Sequence, residues 1–170
     1  SLSTTISLNA TVNSCPAAQV QFALTVNAGP TVTSASTATV CSGGTVNIPL
    51  TANQASPTFT WIAADNANTT GESLSTQNTS TLNNTLTSSS TSAQIVNYTV
   101  TPTAGGCLGT PQTVAVTVNP APTVTSANST SVCSGVALAY PLTSSVPSTF
   151  TWIAANNANT TGESTTTQTG

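Results

Sequence analysis

From Trp61 to Ser73 the chain reads WIAADNANTTGES, and from Trp152 to Ser164 it reads WIAANNANTTGES, differing only where Asp65 is replaced by Asn156. Self-similarity at a fixed period decides an architecture before any single motif does. Working outward from this block, Gly29–Ser34 (GPTVTS) returns as Ala121–Ser126 (APTVTS), Cys15 returns as Cys107 and Cys41 as Cys133, all at an offset of 92. The segment FALTVN ending at Asn27 returns as VAVTVN ending at Asn119. The Trp block repeats at 91 rather than 92, which places a one-residue deletion between Leu142 and Phe150, in a loop where sandwiches tolerate such changes. The chain therefore divides into the C-terminal strands of a truncated module (1–28), a complete module (29–119) and the N-terminal half of a truncated module (120–170). Half a sandwich cannot bury a core alone, so both ends are expected to be cuts within modules.

Within the complete module, β-branched and aromatic residues alternate with polar ones, the pattern of half-buried strands. Strands are expected at Thr31–Val40 with a break near Ser34–Ser36, at Thr45–Thr51, and at Thr58–Ala63 with Phe59 and Trp61 on one face. Further strands are expected at Thr81–Thr87, with Leu82 and Leu86 inward, at Ile95–Thr101 and at Thr113–Asn119. Residues 64–80 read as a polar loop with room for one short edge strand. This strand count, with turn signals between, describes an all-β immunoglobulin-like sandwich, and the Trp on the third strand fits its buried core Trp. Asn27-Ala-Gly-Pro30 and Asn119-Pro-Ala-Pro122 are short, semi-rigid linkers that favour an extended string of modules. Low charge with abundant Ser and Thr is also the composition of disordered chains, but the placed aromatics and the alternation argue for a fold.

Composition excludes whole classes of function. Among 170 residues there is no Lys, Arg or His, and only 3 acidic side chains. Phosphate neutralisation needs cations, so nucleic acid is excluded as a partner, and attraction to an anionic membrane surface fails for the same reason. No apolar run approaches the roughly 20 residues of a membrane-spanning helix, so no direct insertion is expected. General acid–base and Schiff-base chemistry lack their residues. The carboxylates are Asp65, Glu72 and Glu163; Glu163 is the repeat copy of Glu72, so a module has one carboxylate at that place and no catalytic pair. No catalytic residue and no cofactor are expected.

Two features invite a site. Asp65, Asn66, Asn68 and Glu72 could offer oxygen to calcium, yet Ca²⁺ takes 6–8 oxygens, usually from several carboxylates, and one copy has lost the Asp. A polar turn is the simpler reading. The same 64–73 loop is the best-matched segment between copies, through recent duplication or through contact with a ligand or neighbouring filament. Asn-x-Ser/Thr triplets at Asn9, Asn68, Asn78, Asn83, Asn97, Asn128 and Asn159 are expected by chance in such a composition.

The cysteines Cys15, Cys41, Cys107 and Cys133 recur in phase, which points to an oxidising, extracellular compartment; buried free thiols are the alternative. A Cys41–Cys107 bond within one module would close a long loop worth about 4 kcal/mol. In an immunoglobulin-like topology, however, Cys41 follows the first strand and Cys107 the sixth, at opposite ends roughly 25–30 Å apart, against about 7 Å for a disulfide. The favoured expectation is an inter-module bond, each early cysteine joined to the late cysteine of the following module.

Val40-Cys-Ser-Gly43, Thr58-Phe-Thr-Trp61, Tyr98-Thr-Val100 running to Gly105-Gly-Cys107, and Val116-Thr-Val-Asn-Pro120 resemble the PKD-like and Ig-like tandem repeats of large Bacteroidota cell-surface proteins, gliding-motility adhesins of the SprB type among them. The resemblance implies a protein secreted across the outer membrane of a Gram-negative bacterium to the cell surface, acting as stalk, filament or adhesin. The expected function is thus a non-catalytic structural segment of an extracellular adhesin. Its partners are neighbouring modules of the same chain and lateral copies in a filament. The alternative is a glycan- or surface-binding module using the 64–73 loop or a Thr-rich face; an ice-adsorbing Thr array is a third, weakened by irregular spacing in the sequence.

Overall fold

The computed structural model describes all 170 residues and contains strands only. In chain order these are β1 (Leu2–Leu8), β2 (Thr11–Val12), β3 (Cys15–Pro16), β4 (Val20–Val26), β5 (Thr37–Cys41), β6 (Gly44–Thr45), β7 (Ile48–Pro49) and β8 (Thr58–Ala63). They continue with β9 (Thr69–Thr70), β10 (Thr81–Leu82), β11 (Thr85–Ser88), β12 (Gln94–Ala104), β13 (Cys107–Leu108), β14 (Gln112–Asn119), β15 (Thr151–Trp152) and β16 (Gln168–Thr169).

Residues 30–119 form a two-layer sandwich. In one layer the long β12 pairs antiparallel with β8 on one side and with β14 on the other, and β5 adds parallel to β14. The opposite layer is built from short pieces, β6–β11–β9 and β7–β10. Alternation along each strand sends one set of side chains inward: Phe59, Trp61 and Ala63 from β8, Val96, Tyr98 and Val100 from β12, and Val114, Val116 and Val118 from β14. Val46, Ile48, Leu50, Leu82 and Leu86 close the core from the other layer. Apart from Pro30 at the joint, every buried apolar side chain lies between Val46 and Val118. This is the all-β, immunoglobulin-like sandwich that the strand pattern implies.

The details depart from the sequence reading in four places, the first being the strand expected at Thr81–Thr87, which is divided into β10 and β11 at Asn83–Asn84. Of the strand expected at Thr31–Val40 only Thr37–Val40 is continuous, and it runs on to Cys41; Thr31 and Val32 make isolated bridges to Thr110 and Ala52. The second strand is split, because Gly44–Thr45 pairs with β11 and Ile48–Pro49 with β10, while Val46 N–H donates to Asn84 O between them at 2.8 Å. Pro49 has no N–H to extend that ladder. Gly105 and Gly106, both at positive φ, fold a hairpin from β12 into β13 where the sequence reads as a plain connection.

The flanking segments reproduce pieces of this module. β1 and β4 pair Leu2↔Val26 through Leu8↔Val20, the register of β12 and β14 shifted by one repeat. Phe22, Leu24 and Val26 are 45, 43 and 59% exposed, whereas their counterparts Val114, Val116 and Val118 are wholly buried. No counterpart of β5 or β8 lies beside them within 1–28.

Candidate functional site

The polar loop after β8 is held by its own side chains. The Asn66 side-chain carbonyl accepts the Asn68 N–H at 3.0 Å, an Asx turn, and the Asn66 backbone carbonyl accepts Thr69 N–H at 2.8 Å. The Asn66 amide donates to Ile95 O at 3.0 Å, and the Asn68 amide to Gln94 Oε1 at 3.2 Å, which fastens the loop to the start of β12. The buried Thr69 donates its hydroxyl to the Glu72 carboxylate. Gly71 has φ +100° and passes so close to Thr85 O that a Cβ would overlap it. Asn84 braces the far end, accepting Ser73 N–H at 3.1 Å and donating to Ser73 Oγ at 2.8 Å.

Two of the four calcium candidates are thus engaged within the loop. Asn66 and Glu72 have oxygens engaged by loop donors, Asp65 and Asn68 are exposed, and no three His, Cys, Asp or Glu side chains gather at one place. In the second copy Asn157 repeats the turn, accepting Asn159 N–H at 3.0 Å and Thr160 N–H at 3.1 Å, and Thr160 donates to Glu163. That hydroxyl, aided by a backbone N–H, holds the Glu163 carboxyl below the usual carboxylate range. The turn forms in both copies although only the first sits in a complete sandwich. The close sequence match thus has a local cause that neither duplication nor ligand contact requires: Asn, Thr, Gly and Glu are the parts of the turn.

The second surface is the Thr-rich face, which the sequence suggests without locating. The outward positions of β8, β12, β14 and β5 carry Thr58 and Thr60, Thr99, Thr101 and Thr103, Thr113 and Thr117, and Thr37 and Thr39. Pairing sets Thr60 beside Thr101, Thr99 beside Thr113 and Thr117 beside Thr39. Threonines irregular along the chain gather on one face because the register, not the spacing, aligns them. The signal was present in the period-2 alternation of each strand. Phe59 and Trp61 are 4 and 2% exposed, so neither offers a stacking platform for a sugar ring.

The third feature is polar placement. Gly29–Pro30 passes beside Leu108–Gly109, and Thr31 bridges Thr110, just before β14 begins. The chain leaves at Asn119, where β14 ends. It thus arrives at one pole, here the upstream pole, and departs from the opposite, downstream pole. At the upstream joint the Gln54 amide donates to Ala28 O at 2.6 Å and Asn53 Oδ1 accepts Thr31 N–H at 2.9 Å. Thr123 N–H repeats the second clamp on Ser145 Oγ at 3.0 Å. All four cysteines carry free thiols: Cys15, Cys41 and Cys133 are exposed and Cys107 is half-buried. Cys41 is paired with Asn119 at the downstream pole, and Cys107 with Ala104 at the upstream one. The length of β12 from Gln94 to Ala104 separates those poles by about 33 Å, far beyond disulfide reach. No helix is long and apolar enough to cross a membrane.

Among known families, the model of the PKD-like domain matches residues 38–122 and, one repeat later, residues 130–170. Together the matches cover more than half of the chain. A search of curated proteins returns no match.

Proposed function

The chain belongs to the PKD-like domain family, and from that premise we propose that it is a structural segment, stalk or filament, of a large extracellular surface adhesin. The observation that carries this reading is the placement of the two linkers at opposite poles of the complete module, with Gly29–Pro30 against Gly109 and Asn119 at the far end of β14. Modules joined in this way extend end to end instead of folding back. Residues 29–119 are one such module, between the tail of another (1–28) and the front half of a third (120–170).

The segment is non-catalytic: it has no His, Lys or Arg, and the Glu72 carboxylate is taken up by Thr69. Its location is the cell surface of a Gram-negative bacterium after export across the outer membrane, in the manner of gliding-motility adhesins of Bacteroidota. Its partners are neighbouring modules of the same chain and, laterally, further filaments. Electron microscopy of the native protein tests this: a thin rod of serial modules supports the stalk, and a compact particle overturns it.

The Thr-rich outer face of β8, β12, β14 and β5 favours a second reading, a surface- or glycan-binding module. Its hydroxyls are presented in adjacent rows. Binding to a glycan array that is lost in Thr99→Asp, and retained when the 64–73 loop is altered, would establish it.

A further inference from the structure

Cys107 Sγ reaches across the upstream joint to the backbone carbonyl of Asn27, its donor–acceptor distance 4.0 Å. Asn27 directly follows β4, which ends at Val26, and is the repeat counterpart of Asn119. Asn119, in turn, is the β-partner of Cys41, and the next residue, Ser42, donates its N–H to Asn119 O at 2.8 Å. Transferring that pairing back by one repeat places the counterpart of Cys41 directly beside Asn27. Cys107 already touches the same residue. The transferred Ser42 N–H and the Cys107 thiol would then meet at the same Asn27 carbonyl, which brings both cysteines to one spot of the joint, the proximity a disulfide requires.

We infer that successive modules are covalently stapled, Cys41 of one module bonding to the Cys107 counterpart of the next. This rests on the end-to-end array proposed above and adds to it a specific bond. Cys41 is exposed at the downstream pole, available to a neighbour. The Gln54–Ala28 and Asn53–Thr31 hydrogen bonds, with the close passage of Gly29 along Leu108, fix the joint so that the two thiols do not need to find one another by chance. In forming the bond, the two thiols lose two protons and two electrons and one S–S bond is made; a disulfide oxidant such as oxidised glutathione accepts them and departs as two thiols.

The test is the full chain lengthened by an in-line second copy of residues 28–119 placed after Asn119, which puts both cysteines at the new joint. Refolded with oxidised glutathione and digested without reduction, it is expected to yield one cross-link, from the first copy's Cys41 to the second copy's Cys107. Those two thiols should lose all reactivity to iodoacetamide until dithiothreitol is added, while the other four alkylate. Cys41→Ser in the first copy should free the second copy's Cys107 with circular dichroism unchanged. A cross-link within one copy, or two freely alkylating joint thiols in a chain with native circular dichroism, overturns the staple. Electron micrographs of the same sample separate the two readings: a rod with free joint thiols sinks only the bond, whereas a compact particle sinks the array.

Discussion

Trp61 meets Tyr98 edge-on, their ring centroids 5.8 Å apart and their planes at 66°. The two sit diagonally on the neighbouring strands β8 and β12, since Trp61 pairs with Val100 and Ala63 with Tyr98, a spacing that long aromatic side chains bridge. Their polar atoms fare differently. The indole N–H donates to Thr79, at 3.0 Å to Oγ1 and 3.2 Å to the carbonyl, whereas the Tyr98 hydroxyl is buried without a partner.

Tyr98→Phe should therefore leave stability unchanged or raise it by up to about 1 kcal/mol, because an unpaired buried hydroxyl costs rather than contributes. Trp61→Ala should lose about 3–5 kcal/mol through the cavity it leaves. Urea midpoints of the two variants measure both; a large loss in Tyr98→Phe would reveal a partner for the hydroxyl.

Alkaline stability follows from the same residue. Burial, and secondly the Glu72 charge, push the Tyr98 phenol from 10.0 up to about 12. With the folded value raised, the unfolded chain releases the proton first, so the stabilisation is complete below pH 10 and is lost as pH rises towards 12. Thermal midpoints should fall across that window, and the fall should be shallower in Tyr98→Phe. Equal slopes in the two chains would contradict the assignment.

Gly71→Ala should cost about 2 kcal/mol or more, since a left-handed non-glycine residue alone costs about 1–3 kcal/mol and the added Cβ meets Thr85 O. Asn66→Ala, which removes the Asx turn and the tie to Ile95, should cost about 1–2 kcal/mol. Differential scanning calorimetry distinguishes these from Asp65→Asn, expected to be silent because the second copy makes the same turn with Asn156 in that place.

Much of this fold was legible before any coordinates. Phe59, Trp61, Leu82 and Leu86 announced themselves as inward by alternation, and all four are buried. The short strands were harder: Val46 to Pro49 looks continuous in sequence, but Asn84 takes the N–H of Val46 and divides the ladder. A Thr-rich face could be expected from the sequence, but its place on β8, β12, β14 and β5 depends on cross-strand register, which one strand's sequence does not carry. The opposed placement of Cys41 and Cys107 followed from strand order alone. The contact of Cys107 with Asn27 depends on the packing of the joint, and no spacing encodes that.

Calcium and salt should do little. The Asn66 and Glu72 oxygens already accept hydrogen bonds from within the loop, and a formal charge of −3 with no cationic side chain leaves few interactions for ions to screen. Thermal midpoints are expected to agree within error in calcium, in chelator, and between low and moderate sodium chloride. A calcium-dependent rise would establish a metal site in the 64–73 loop after all.

The two tryptophans should report separately on completed and partial modules. Trp61 is 2% exposed, enclosed by Tyr98 and Thr79, while its repeat partner Trp152 is 42% exposed in residues 120–170, which contain no counterparts of β12 or β14. A Trp152→Phe chain should fluoresce at short wavelength and resist iodide; a Trp61→Phe chain should fluoresce at long wavelength and be quenched. The comparison is informative because the two residues share the sequence Thr-Trp-Ile-Ala and differ only in what covers them. Should Trp152 prove as protected as Trp61, further strands must lie over it, from a second copy or from elsewhere in the same chain. The exposed Phe22, Leu24 and Val26, which repeat the valines of β14, would be the first surface to examine for that cover, and protection that fades on dilution would separate a second copy from a rearrangement within one chain.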